Sequence, residues 1–170
     1  TYVFCGSLFV EEELKMKKLI AYFSPSGNTK AMAEKLAKAT GADLFEIKPQ
    51  TPYTRDDLDW TNKNSRSSIE MNDKSFRPQI AQLPNSLADY DTIFIGFPIW
   101  WYVAPTIINT FVENVDLDGK KVIPFATSGG SGMGKTLANL KPSCPNANWV
   151  EGKVINGMSE KALADWAEKL

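Results

Sequence analysis

A chain of 170 residues, 43% of them hydrophobic, is long enough to bury one sizeable core and suits a single domain. Its 19 Lys and Arg against 20 Asp and Glu leave a net charge of -1, and no basic run is interleaved with aromatics, which speaks against nucleic acid as a partner. Histidine is absent, which excludes Ser-His-Asp and Cys-His catalysis, and Cys5 and Cys144 lie far apart outside any CxxC pattern, so neither a zinc site nor a dithiol is expected and a reducing cytoplasm fits.

Residues 1–15 fit poorly with the rest of the chain, and they lack the basic start and small-residue cleavage site of a signal peptide. Met16-Lys17-Lys18 then runs straight into the first apolar stretch. The first fifteen residues are read as an appended segment, with a short helix around Glu11 to Lys15 as the alternative, and residues 16–170 as the domain. That segment holds three glutamates and one lysine, so without it the net charge is about +1.

Leu19-Ile20-Ala21-Tyr22-Phe23 reads as a buried strand and Ala31 to Ala39 as a helix, which puts the turn between them at a helix N-terminus. Unpaired backbone N–H groups and the positive end of the helix dipole meet there and favour an anion. Ser24, Ser26 and Thr29 add hydroxyls, Asn28 offers a cap or an amide donor, and Gly27 lets backbone approach a ligand. An ordinary capped turn needs one such side chain, and this one carries four.

Ser-x-Ser-Gly-Asn-Thr directly after the first strand resembles the phosphate loop of the flavodoxins, which bind flavin mononucleotide (FMN) non-covalently. The resemblance is to short-chain members and runs from Lys17 to the C-terminus. It implies that Ser24, Ser26, Gly27, Asn28 and Thr29 surround the FMN phosphate.

Gly41 ends the first helix, and Asp43 to Ile47 reads as a short second strand. From Tyr53 to Ala88 the composition turns polar, with one helix expected around Ser67 to Asn72 or Ser75 to Gln82. Such a section is either a solvated excursion or a lid in which Tyr53, Trp60, Arg66 and Arg77 close over a ligand.

Asp91 to Phe97 reads as the third strand, apolar from Ile93 on as a central strand of a parallel sheet would be. It leads into Pro98-Ile99-Trp100-Trp101-Tyr102, where three adjacent rings stand in place of the usual polar residues and suggest a face for a flat aromatic ligand. The same rings also suit a core or a dimer interface. The flavodoxin resemblance implies that this loop lines the isoalloxazine ring. The uncharged stretch from Thr92 to Val112 is long enough to raise a membrane span, but Gly96, Pro98 and Pro105 interrupt it.

Pro105 opens a helix whose stripe is Ile107, Ile108, Phe111, Val112 and Val115, and Lys120 to Ala126 reads as the fourth strand. The loop after that strand carries Ser128, Gly129, Gly130, Ser131 and Gly132, which the resemblance places against the flavin ring. The same loop matches G-x-x-x-x-G-K-[ST] through Gly129, Gly134, Lys135 and Thr136, the phosphate loop of nucleoside triphosphatases. Too little chain comes after it for such a domain, and no apolar strand ends in the Asp that would hold magnesium.

Trp149 to Ile155 reads as the fifth strand and Ser159 as the cap of a final helix whose Leu163, Trp166, Ala167 and Leu170 face the sheet. Alternation of strands and helices predicts a three-layer, doubly wound, five-stranded parallel sheet in the order 2-1-3-4-5, with a ligand at the carboxyl ends of strands one, three and four. The resemblance implies FMN as cofactor, electron transfer as function, and a redox partner protein or small-molecule acceptor, with no catalytic acid or base. Two departures from the family, a nearly neutral charge and no glycine between Phe97 and Pro105, leave room for an FMN-dependent NAD(P)H oxidoreductase acting on a quinone or related acceptor. Neither a metal nor a membrane partner is expected, and the chain is read as a monomer or weak homodimer.

Overall fold

The computed structural model describes residues 17–170, so the readings for the first segment, appended or helical, lie outside the described residues. Strand β1 (Lys17–Tyr22) leads into helix α1 (Asn28–Thr40), then β2 (Asp43–Glu46), α2 (Arg66–Asn72) and β3 (Tyr90–Pro98). Helix α3 (Thr106–Asn114), β4 (Lys121–Thr127), α4 (Thr136–Leu140), β5 (Asn148–Trp149), β6 (Lys153–Val154) and α5 (Glu160–Glu168) complete the chain. The order across the sheet is β2-β1-β3-β4, with β5 and β6 both on the outer side of β4, and all pairings are parallel.

Period-two alternation splits the core into two halves. Leu19 and Ala21 of β1 face one side, where α3 adds Ile107, Ile108, Phe111 and Val112. Ile20 and Tyr22 face the other, covered by Ala33 and Leu36 of α1 and Leu163 and Ala167 of α5. Full burial of a side chain such as Phe111 or Ile107 contributes about 1.5–3 kcal/mol, which is why these stripes fix where the helices lie. Val115 packs only partly, since it comes after the last turn of α3.

The expected single fifth strand is instead two short pieces. Val122 and Ala126 of β4 accept from Val150 and Ile155 N–H at 2.9 Å, so the residue midway between them points its main chain to the same edge. That residue is Pro124, which has no N–H to give. Gly152 crosses the gap against the Pro124 carbonyl, where a Cβ would have no room. Proline thus interrupts the ladder and parts β5 from β6.

Helix α1 also begins earlier than its apolar pattern suggests. Gly27 is the N-cap in a left-handed conformation (φ 90°), and Asn28 is the first helical residue and makes no capping bond. Pro105 likewise precedes α3 as its N-cap. Of the two places read for the one helix of the polar section, the first carries it, capped by Ser65, whose Oγ accepts from Ser68 N–H. The second does not; residues 75–82 run without helix.

Candidate functional site

Three turns leave the carboxyl ends of β1, β3 and β4 on the same edge of the sheet. In the first, Lys30 N–H donates to Ser24 Oγ at 2.9 Å, so Ser24 caps the third N–H of α1 from outside the helix. The first two N–H groups, of Asn28 and Thr29, lie ahead of any intrahelical partner, and no side chain caps them from Gly27. Ser26, Gly27 and Asn28 are exposed. Thr29 is not: its Oγ1 is hydrogen-bonded to Thr127 Oγ1 at 2.8 Å and both residues are buried. The hydroxyl expected to face a ligand therefore fastens the turn to the end of β4.

After β3, Trp100 and Val103 exchange backbone hydrogen bonds of 2.9 and 3.2 Å around Trp101 (φ 48°) and Tyr102 (φ 68°). Positive φ at both central residues defines a type I′ turn, which normally takes Asn-Gly. Two aromatic residues here store backbone strain, and the turn divides the three rings between two tasks. Trp100 faces inward, edge-on to Phe23 and Tyr53 at 5.6 Å each. Trp101 and Tyr102 are 42% and 71% exposed.

After β4, Ser128 Oγ accepts from Gly130 and Ser131 N–H, and the two serine hydroxyls are bonded at 3.0 Å. This hydroxyl shapes its own loop. Asn156 holds the loop from the far side: its Oδ1 accepts from Ser128 N–H and its Nδ2 donates to Ser128 O, both at 2.8 Å.

A cavity of about 580 Å³ lies between the last two turns, within the size range of small-molecule sites. Ile99, Trp100, Trp101, Tyr102, Ser128, Gly129, Gly130 and Ser131 line it, as do Leu58, Trp60 and Ser67 from the polar section. Among the described residues no Asp, Glu, Lys or Arg stands in its wall. Pro98 and Gly132 lie outside the wall, and the Ser24–Thr29 turn lies apart from it, tied to β4 through Thr29. Of the four residues read as a lid, only Trp60 lines the cavity. Tyr53 lies beneath Trp100 with its hydroxyl bonded to Glu70; Arg66 stacks 3.8 Å above the Tyr53 ring and pairs with Glu70 at 3.0 Å. Burial, then the Glu70 bond, push the Tyr53 hydroxyl far above its ordinary pKa. Arg77 pairs with Glu113.

The rival phosphate motif has another explanation. Thr136, wholly buried, spends its hydroxyl on Met133 O, and Gly134 is needed because a Cβ there would run into the Tyr102 carbonyl. Among the described residues no cluster of His, Cys, Asp and Glu suits a metal ion, and no helix is long and apolar enough to cross a membrane.

A protein-family profile described as Flavodoxin matches residues 17–170. The chain belongs to the flavodoxin family. A crystal structure of a protein assigned as a flavoprotein from Bacteroides eggerthii DSM 20697 is 52% identical, with a TM-score of 0.87 over 91% of this chain and 97% of that one. A flavoprotein in complex with FMN from Lactobacillus acidophilus NCFM is 28% identical, with a TM-score of 0.63 over 81% of this chain and 91% of that one. An uncharacterized NAD(P)H oxidoreductase of Escherichia coli K12, YcaK, is 29% identical over 98 residues, 57% of this chain and 45% of that protein, so the match spans less than half of the curated relative. Within this flavodoxin-family chain, sequence reasoning missed Leu58, Ser67, Thr127 and Asn156. Asn156 carried one usable signal, the Asn-Gly pair with Gly157 at φ 68° just past β6.

Proposed function

We propose that this chain binds FMN and acts as an electron-transfer flavoprotein, with the phosphate at the Ser24–Thr29 turn and the ring in the aromatic cavity. The observation that carries the reading is a cavity walled by the Trp101-Tyr102 turn and the Ser128–Ser131 loop, with no charged side chain among the described residues of its wall, on the sheet edge that also bears a helix N-terminus whose first two N–H groups have no side-chain cap. The fit is supported by open space: an added Cβ at Gly27, Gly129 or Gly130 would meet no protein atom within 4 Å. FMN in the Lactobacillus acidophilus relative supports the choice of cofactor.

Bound FMN would supply the redox chemistry, and the protein would supply binding, orientation and electrostatics. Ser24 and Ser26 hydroxyls and the Asn28 and Thr29 amides would donate to the phosphate. Trp101 and Tyr102 offer ring faces for stacking, Trp60 and Leu58 exclude water from the outer side, and the neutral wall adds no fixed charge beside the ring. No side chain acts as catalytic acid or base. Donor and acceptor are a partner protein or a small molecule, in a cytoplasmic setting.

A second reading, an FMN-dependent NAD(P)H oxidoreductase, is favoured by the similarity to YcaK and by the absence of glycine in the loop after β3. Anaerobic titration of the FMN-loaded protein separates the two. Rapid bleaching by NADPH supports the oxidoreductase; reduction by dithionite alone, in two resolved one-electron steps, supports the carrier. Failure of FMN to bind overturns both.

A further inference from the structure

We propose that a second cavity, beside the first, binds a small organic anion with an apolar body and a hydrogen-bonding group at its buried end. This cavity is about 560 Å³ and shares Trp101 and Tyr102 with the aromatic one, so the strained turn forms part of both walls. The inference does not rest on FMN binding.

Three features define the ligand. Met71, Val103, Ala138 and Pro142 join the two shared rings in an apolar part of the wall, so the body of the ligand is apolar too. Lys74 and Lys135 are exposed members of the lining, which holds no carboxylate among the described residues. Arg77 also contributes, but its charge is shared with Glu113. Lys74 and Lys135 therefore supply the positive charge that the lining does not share with an ion-pair partner. Lys135 is the lysine of the triphosphatase-like motif, and here it finds a use that needs no phosphate cradle.

The buried end supplies the third feature. Thr106 is 6% exposed, and its Oγ1 is the one buried side-chain oxygen or nitrogen among the described residues without a hydrogen-bond partner. A buried hydroxyl in that state costs stability until a partner arrives. Asn109, 8% exposed, stands in the same wall and donates through Nδ2 to Asn139 O and Ser143 Oγ, which leaves its Oδ1 as an acceptor. A ligand hydroxyl would donate to Asn109 Oδ1 and, with a turn of the Thr106 side chain toward the cavity, accept from Thr106 Oγ1.

The probe is 6-hydroxy-2-naphthoate, monitored by amide NMR shifts of the full chain with and without FMN. Shifts are expected at Val103, Ala104, Thr106, Asn109 and Ala138. 6-Hydroxy-2-naphthamide should bind about tenfold more weakly, and Lys74→Glu with Lys135→Glu should erase that preference, as loss of two exposed charge contacts would. Thr106→Val should remove the advantage of the hydroxylated probe over 2-naphthoate while leaving 2-naphthoate binding intact. Shifts confined to Ser128–Ser131, equal binding of carboxylate and carboxamide, or a charge preference that survives in the double lysine variant would each overturn the proposal. Whether FMN binds is read from its own spectrum, so the two readings fail separately.

Discussion

Thr29 Oγ1 and Thr127 Oγ1 lie 2.8 Å apart in a buried hydrogen bond that spans β3, joining the start of α1 to the end of β4. The turn that would hold phosphate and the loop that would meet the flavin ring depart from these two residues. Thr127→Val leaves the Thr29 hydroxyl buried without its partner and should cost about 1–3 kcal/mol of stability by urea unfolding. Thr29→Val together with Thr127→Val should cost less than the two single changes summed, because no orphan hydroxyl remains. Additive costs would show that the bond carries no coupling.

The Trp101-Tyr102 turn exchanges stability for a binding face. Asn-Gly is the pair that a type I′ turn favours, so Trp101→Asn with Tyr102→Gly should relieve strain and raise stability by about 1–2 kcal/mol. The same change removes both exposed rings from the cavity wall, so FMN should bind about fivefold more weakly, as expected for lost aromatic contact worth about 1 kcal/mol. Unfolding curves and flavin fluorescence read the two effects on one sample. A less stable variant would contradict the strain argument.

The main architecture was legible because it rests on local apolar runs: Thr92 to Phe97 is uncharged and became the central β3, and the stripe from Ile107 to Val112 became the buried face of α3. Three loops after three strands then had only one sheet edge to share. What stayed hidden depends on partners distant in sequence. Pro124 reads as part of an apolar strand, and only its facing of the outer edge reveals that it splits the neighbouring strand. Glu70 sits in a polar stretch like any solvated carboxylate, yet it is 2% exposed because Tyr53 and Arg66, 17 and four residues away, satisfy it. The triphosphatase-like match arose because spacing alone does not separate a glycine that cradles phosphate from one that clears a carbonyl.

Tyr53 gives a pH signature. Its hydroxyl is held neutral by burial and by donation to Glu70, so its folded pKa lies far above the unfolded value of about 10. The stabilisation is complete below pH 10 and is lost as pH climbs above it, because the unfolded chain then releases a proton that the folded one retains. Tyr53→Phe should cost about 1.5–3 kcal/mol near pH 7, the worth of a hydrogen bond to a charged group. The gap to the parent protein should narrow above pH 10. Tyr90, pushed up to about 12 chiefly by its bond to Asp43, titrates in both proteins and cancels in the comparison. A gap that is constant from pH 7 to 11 would mean that the hydroxyl is not held neutral.

Gly134 ties the two walls of the site together. It lies at φ 53°, and a Cβ added there would overlap the Tyr102 carbonyl, so the loop after β4 packs against the strained turn only because this side chain is missing. Gly134→Ala should destabilise the fold by about 1–3 kcal/mol, shift the indole N–H NMR signal of Trp101 as the turn is displaced, and weaken FMN binding. Gly132 is the matched control, since a Cβ there meets nothing within 4 Å and it lies outside the cavity wall. Gly132→Ala should therefore change stability by less than about 0.5 kcal/mol. If the glycine served a bound phosphate instead, the alanine at 134 would disturb nucleotide binding and leave Trp101 unmoved, so the indole N–H signal of that one residue decides between the two.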